Sequence, residues 1–575
     1  MQREQVVAML VAVLWTMPCA AQERFDILIR GGQLLDGSGN PWVYADVGIR
    51  GDRIAAVGRL EGATAGRVIE ARGRVVVPGF IDIHSHADDG ARPQGGLRDD
   101  NPRRRAAPNL VTQGITTVVV NQDGRSPWPI AQQRGDLARQ KIGPNAILLV
   151  GHGSVRRAVM GSDFQRASRP DEIERMRALV RQGMQEGAWG MSAGLEYVPG
   201  RWSTTDEVVA LVEEIVPFGG VYISHERSEG SDPMWYWPSR DPPGPPTLLD
   251  AVMETIEIGE RTGATVVASH IKAKGAHYWG TSAAVIRMID EARRRGVRVW
   301  ADQYPYETTG SDGNTVLIPG WVFEGTSGDD QGRAGTSDYA TLLRRALADS
   351  TTARKVRQDI AHEIRRRGGA ERVLILEYRD STLAGKFLGD VAASWNVTPI
   401  EAAIRLQFEG FPNRPGGVRL RGLSLSAYDL EPYAAQPWVA TTTDGGIALP
   451  EDGFTHPRFY GTYPRKIRHF ALDRGVLSVE DAIRTSTSLP ARILGLADRG
   501  MVHPGYRADV AVIDLARIRD KSTFFEPHQY AEGVDFVLVN GQFVVENGQP
   551  TWALPGQVLV PERGKAATSD GDGGR

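Results

Sequence analysis

Residues 80–86 read FIDIHSH, directly after the apolar run Val75-Val76-Val77-Pro78-Gly79. The reading of this stretch decides the fold. On a strand, side chains at i and i+2 share a face, so His84 and His86 would present two imidazoles to one point at a strand end. Imidazole is a common ligand for zinc and similar ions. The pair alone is not specific, because packed histidines give the same pattern. Further ligands have to come from elsewhere in the chain.

Working outward, seven more apolar runs end in polar residues: TTVVVNQDG, AILLVGHGS, WGMSAGLEY, VYISHERSEG, TVVASHIKAKG, VRVWADQYPY and WVATTTDGG. Helical periodicity lies between several of them, at 171–186, 248–262 and 282–295. Near-continuous apolar strands alternating with helices predict a parallel sheet covered on both faces. Eight such units predict a closed (β/α)8 TIM-like barrel, with its polar strand ends converging at the C-terminal mouth. A doubly wound sheet is less consistent, because no phosphate-binding glycine fingerprint follows the first strand.

The flanks differ from the middle. Residues 22–77 and 501–561 are short strands punctuated by Gly and Asp-Gly, which predicts one small β-sandwich built from both termini around a barrel at 78–500. Residues 307–437 separate the seventh and eighth strands and are too long for a βα loop. They are read as an inserted lid subdomain with helices at 352–367 and 398–408 and a strand at 373–378. A loop rich in proline and aromatics, 231–246, should overhang the mouth after the fifth strand. Residues 562–575 read as a disordered tail.

With 67 basic and 70 acidic residues in 575, a net charge of −3 gives no reason to expect nucleic acid as a partner. The apolar stretch 6–15, followed by Cys19-Ala20-Ala21, reads as a signal peptide over 1–21 and predicts export to the periplasm or secretion. No stretch suggests a membrane span. Cys19 is the single cysteine, so the mature chain would offer no thiolate to a metal and form no disulfide.

Eleven histidines occur in the chain, and His84, His86, His152, His225 and His270 all fall at expected strand ends. Four of them, His84, His86, His225 and His270, are placed to bind metal; each alone would pass as a packed or loop histidine. With imidazoles and carboxylates as the strong ligands, zinc is favoured (one or two ions), with manganese or cobalt as alternatives. Such an ion supplies hydroxide at neutral pH and polarises a carbonyl. Asp444, in TTTDGG at the last strand end, is placed to take the proton of the attacking water and return it to a leaving amine.

Taken together, the flanking β segments, VPGFIDIHSH, SHERSEG, SHIKAKG and TTTDGG resemble the amidohydrolase superfamily. SAGLEYVPG, HIKAKG, DQYPY and HPRFYGTYPR narrow the resemblance to the N-acyl-D-amino-acid deacylases, or D-aminoacylases. The resemblance implies His84 and His86 as the first-strand metal pair, His225 and His270 at the tighter metal site, and Asp444 as catalytic aspartate and ligand. It implies Lys272, Tyr304 or Tyr306, and Arg458 as groups holding a substrate α-carboxylate, with Tyr197 beside the scissile amide. A free carboxylate in a closed pocket needs charged donors, and Arg offers a planar fork.

One departure stands out. Relatives often carry a cysteine ligand after the second strand, in a context like NCG, where this chain has Asn121-Gln122-Asp123-Gly124. Either of two carboxylates would fill the vacancy. Glu196, ending the fourth strand, is expected as the bridge between two ions, and Asp123 as a ligand or a residue behind the ligands. The expected partner is a small molecule with a free carboxylate. A dipeptidase acting on a C-terminal D-residue, a cyclic amidase and a non-catalytic scaffold are the competing readings.

Overall fold

The computed structural model describes residues 23–88, 95–323 and 338–561. The expected signal peptide and tail lie outside the described residues. All eight expected strands form. They are Phe80–Asp82, Ile115–Val120, Asn145–Leu148 with its continuation Val150–Gly151, Gly190–Gly194, Val221–His225, Thr265–Ala268, Val299–Gln303 and Val439–Thr441. The first three pair in parallel. Val150–Gly151 passes the order to the fourth strand, and the fourth to eighth continue it in parallel. The last strand meets the first through a parallel bridge, Ser85 to Gly445. Asp444 N donates to His84 O at 3.0 Å and His86 N to Gly445 O at 2.9 Å.

These strands are buried almost throughout, as parallel strands covered on both faces must be. Helices supply the cover. In Pro170–Gln185, Met176, Val180 and Met184 fall on one buried stripe. Leu248–Thr262 starts at a capping box in which Thr247 Oγ1 accepts from Asp250 N and the Asp250 carboxylate accepts from Thr247 N. It stops at Gly263, which has φ +68° and can adopt a left-handed cap at no steric cost.

Arg24–Leu34, Val43–Arg50, Arg53–Gly58, Thr64–Glu70 and Val75–Pro78 from one end join Val510–Ile513, Val534–Val539, Gln542–Glu546 and Gln549–Pro550 from the other in one nine-stranded sheet. The join is the antiparallel pair of Val75–Pro78 with Val510–Ile513. One C-terminal piece departs from the expected division: Val558–Leu559 pairs in parallel with Asn145–Leu148, in the central strand set.

Residues 307–437 have an apolar cluster of their own, including Leu343, Val356, Leu388 and Leu406. Each such buried side chain contributes about 1.5–3 kcal/mol. The cluster packs Tyr339–Ala348, Ser350–Arg366 and Pro399–Glu409 against the antiparallel strands Val373–Glu377 and Arg419–Gly422. The 231–246 loop is docked on this insertion, with Arg366 donating to Met234 O, Tyr236 O and Asp232 at 2.7–2.9 Å. Among the described residues no helix is long and apolar enough to cross a membrane.

Candidate metal centre

Regular pairing of the first strand stops at Asp82, so His84 and His86 sit just beyond it. They converge because Asp82 ties the first strand end to the last. Its carboxylate accepts from Thr442 Oγ1 at 2.7 Å, Thr443 N at 2.9 Å and Thr443 Oγ1 at 2.5 Å. Burial pushes the Asp82 carboxyl up to about 6 against these bonds. Three site residues, Asp123, His270 and Asp444, hold φ of +56°, +36° and +46°. Non-glycine residues seldom adopt this region, at about 1–3 kcal/mol each, and such positions cluster at functional sites.

The four imidazoles surround Asp123. His225 Nδ1 and His270 Nε2 stand 2.9 Å apart, and Asp123 Oδ1 is 3.6 and 3.8 Å from them. Two ligands each about 2.0–2.1 Å from one tetrahedral ion stand roughly 3.3 Å apart, so this triangle has the dimensions of a metal site. On the other side, Asp444 Oδ1 lies 3.0 Å from His86 Nε2 and 3.8 Å from His84 Nε2. Asp123 closes that triangle too, with Oδ1 3.5 Å from His84 and Oδ2 3.7 Å from His86. His84 Nε2 and Asp123 Oδ1 are buried, and among the described residues neither has a hydrogen bond. Two acceptor atoms facing each other without a proton donor fit a cation between them.

The electrostatics suit ligation. Burial, more than anything else, holds His84 well below its usual range, so it stays neutral. Burial would raise Asp123, but His225, His270, His84 and His86 together hold it well below the usual carboxylate range. Burial likewise opposes ionisation of Asp444, and Arg458 overcomes it, with His270 and the His86 hydrogen bond adding to the effect.

A second layer orients the ligands. Glu196, expected as the bridge, lies outside the cluster. Its Oε2 is 3.1 Å from His225 Nε2, and its Oε1 accepts from Met234 N at 2.6 Å. It therefore holds the far nitrogen of His225 and leaves Nδ1 for the centre, the usual arrangement behind a metal-bound histidine. Asp123, not Glu196, stands between the two pairs of imidazoles. His84 Nδ1 is 2.5 Å from Ser269 Oγ, which donates to Asp302 at 2.8 Å. The hydroxyl proton is thus committed to Asp302, which makes His84 Nδ1 the donor and leaves Nε2 a lone pair. Burial pushes Asp302 up to about 7, against bonds from His270 N and Ser269. His152 plays no part in the cluster; it is buried against Glu207 at 2.9 Å.

The substrate-side residues separate. Tyr197 lies beside His225, with ring centroids 4.2 Å apart. Tyr304 faces the site: its hydroxyl is buried without a partner among the described residues, and Arg458 lies over its ring at 4.7 Å and Lys272 Nζ at 5.7 Å. Tyr306 turns toward the C-terminal segment, with its hydroxyl 3.5 Å from Asp520 and Arg465 over its ring at 5.0 Å. Arg458 Nη1 donates to Asp444 Oδ2 at 2.7 Å, while its Nε is buried with no hydrogen bond among the described residues. Lys272 Nζ is 2.7 Å from His270 Nδ1 and also bonds Glu229.

Sequence reasoning passed over Glu229 and Asp82. Glu229 Oε1 is 3.4 Å from His270 Nδ1, and it belongs with His225 and His270 to one group able to hold an ion. Its spacing of four from His225 in SHERSEG was the available signal. Asp82, two residues before His84, gave none, because a buried strand aspartate has no local signature.

The parallel frame and a centre of histidines and carboxylates define a hydrolase of the metal-dependent amidohydrolase class. The chain matches the amidohydrolase family over residues 67–213 and 410–545. It is 31% identical to the D-aminoacylase of Alcaligenes xylosoxydans xylosoxydans, over 93% of this chain and 98% of that one. It is also 31% identical to the N-acyl-D-glutamate deacylase of the same organism, over 94% and 97%. The crystal structure of N-acyl-D-glutamate deacylase from Bordetella bronchiseptica, complexed with zinc and a phosphonate mimic of the tetrahedral intermediate, aligns with a TM-score of 0.69 at 28% identity, covering 94% of this chain and 100% of that one. This chain belongs to the amidohydrolase family.

Proposed function

We propose that this protein hydrolyses the amide bond of N-acyl-D-amino acids, giving a carboxylate and a free D-amino acid. The observation that carries the reading is the pair of ligand triangles sharing Asp123, with Asp444 between His86 and Arg458. The full-length likeness to D-aminoacylase and N-acyl-D-glutamate deacylase supports it. His84, His86, His225, His270, Asp123 and Asp444 would hold a divalent ion such as zinc, which when bound would supply a nucleophilic water at neutral pH and polarise the scissile carbonyl.

The remaining work falls to side chains. Asp444 is ionised and accepts the proton of the attacking water on a carboxylate oxygen. It returns that proton to the amide nitrogen as the C–N bond breaks, so the amine leaves neutral. Arg458 Nε, Lys272 and the Tyr304 hydroxyl supply donors for the substrate's α-carboxylate, and Tyr197 packs beside the scissile amide. Glu196, Ser269 and Glu229 keep the imidazoles in place.

The eight parallel strands are read as a closed (β/α)8 barrel, supported by the bridge between Ser85 and Gly445. The nine-stranded sheet is read as the sandwich and 307–437 as a lid over the mouth. The apolar stretch 6–15 followed by Ala20-Ala21 supports export to the periplasm or medium. The test is hydrolysis of paired N-acetyl-D- and N-acetyl-L-amino acids and of D- and L-dipeptides by zinc-loaded protein. Release of D-amino acids from the N-acetyl substrates is expected; activity confined to L-substrates or to dipeptides would sink the reading.

A further inference from the structure

Arg458 belongs both to the metal centre and to a neighbouring cavity. Its Nη1 bonds Asp444, and its side chain forms part of the wall of a cavity of about 240 Å³. Arg419 and Arg421, from the strand Arg419–Gly422, form another part, with His456 and Phe524. Among the described residues no carboxylate lines this cavity.

Two of the three arginines have counter-ions. Arg419 pairs with Glu377 at 3.2 Å and Arg458 with Asp444 at 2.7 Å. Arg421 makes no carboxylate pair among the described residues. It is 7% exposed. Among the described residues its Nη1 reaches only neutral oxygens, Thr308 Oγ1 at 3.4 Å and Thr309 O at 3.3 Å, and its Nε has no hydrogen bond. Asp312, whose charge reaches it, is taken by Arg367 at 2.9 Å and Ser424 at 2.6 Å. His456 accepts from Arg458 N on Nδ1 and meets Thr308 O with Nε2 at 3.0 Å, so it is neutral and adds no negative charge. Burial pushes Arg421 down to about 10. A buried guanidinium without a counter-ion is costly, and a cavity wall is where a ligand would relieve it.

We propose that Arg421 determines side-chain specificity: it takes a second carboxylate, and the preferred substrates are N-acyl derivatives of acidic D-amino acids. This rests on the deacylase reading above. The α-carboxylate is held at Arg458, Lys272 and Tyr304, and a short side chain carries its own carboxylate into the cavity. There the planar fork of Arg421 has unused donors for a two-pronged contact. Because that contact exists in the bound ground state, it acts mainly through KM.

The experiment measures kcat/KM of the zinc-loaded protein on N-acetyl-D-glutamate, its neutral isostere N-acetyl-D-glutamine, N-acetyl-D-leucine and N-succinyl-D-leucine. N-acetyl-D-glutamate should exceed N-acetyl-D-glutamine by on the order of 100-fold, chiefly in KM. In Arg421→Met that ratio should collapse by about 50-fold or more, and Arg421→Lys should restore part of it. Equal or better turnover of the neutral D-substrates by wild type overturns the proposal, and needs no variant to fold. An Arg421→Met ratio unchanged from wild type also overturns it. So does a preference for N-succinyl-D-leucine, which would put the second carboxylate on the acyl side. Failure to cleave any N-acyl-D-amino acid is a distinct result; it removes the deacylase reading and this inference with it.

Discussion

The two halves of the centre share Asp123 but differ in their surroundings. His225 and His270 have side chains 2% and 3% exposed and are backed by the buried carboxylates of Glu196 and Glu229. On the other side the His84 side chain is fully buried, but His86 is 20% exposed and Asp444 10% exposed, so that half opens to solvent through these two. A buried, braced pair has little freedom to lose on binding an ion, and its ligands have no competing water. A half that opens to solvent gives up some affinity for access, and there Asp444 and Arg458 stand. The enclosed half is thus built for retention and the open half for reaction.

Predictions that would break this comparison begin with its largest effect. Asp444→Asn should lower kcat by about 10²–10⁴-fold while the enclosed half stays loaded and the melting temperature holds, because Asn tolerates the positive φ found there. Turnover near wild type would leave proton transfer without a carrier. Asp123→Ala should empty both halves, seen as loss of bound zinc by atomic absorption and a lower melting temperature. His86→Ala should lower bound zinc by about one ion per chain and leave the enclosed half loaded. If the two variants lose the same amount of metal, Asp123 is not shared.

Glu196→Gln should weaken metal affinity by about 10–100-fold in competition with a chelator, without changing stoichiometry at saturating zinc. A lost ion would return Glu196 to the bridging role expected from sequence. The smallest effect separates the tyrosines. Tyr304→Phe should raise KM by about 10-fold, the loss of one hydrogen bond to a charged group. Tyr306→Phe should change kcat/KM by less than about 3-fold.

Much of this was legible in the chain. The eight strand ends were readable because each is a short apolar run stopped by a polar residue, and strand and helix periodicities are local. The helix expected at 248–262 formed with those bounds, since its capping box and terminal glycine are both local signals. His84, His86, His225, His270 and Asp444 were found for the same reason. Other parts depended on faces and distances. Whether Asp123 or Glu196 stands among the imidazoles turns on the direction each side chain takes beyond its strand. Tyr304 and Tyr306 have the same residue type and two-residue spacing, and only packing against Arg458 and Asp520 tells them apart.

The sequence by itself determined the parallel strand-and-helix order, the residues able to bind metal and the class of reaction, because those follow from local pattern and from the limited set of strong ligands. Only the tertiary structure decided that Asp123 is shared by two triangles, that Asp82 locks the first strand end to the last, and that Arg421 faces a cavity without a counter-ion among the described residues. Those facts relate residues up to 361 positions apart, and only folding brings them within reach of one another.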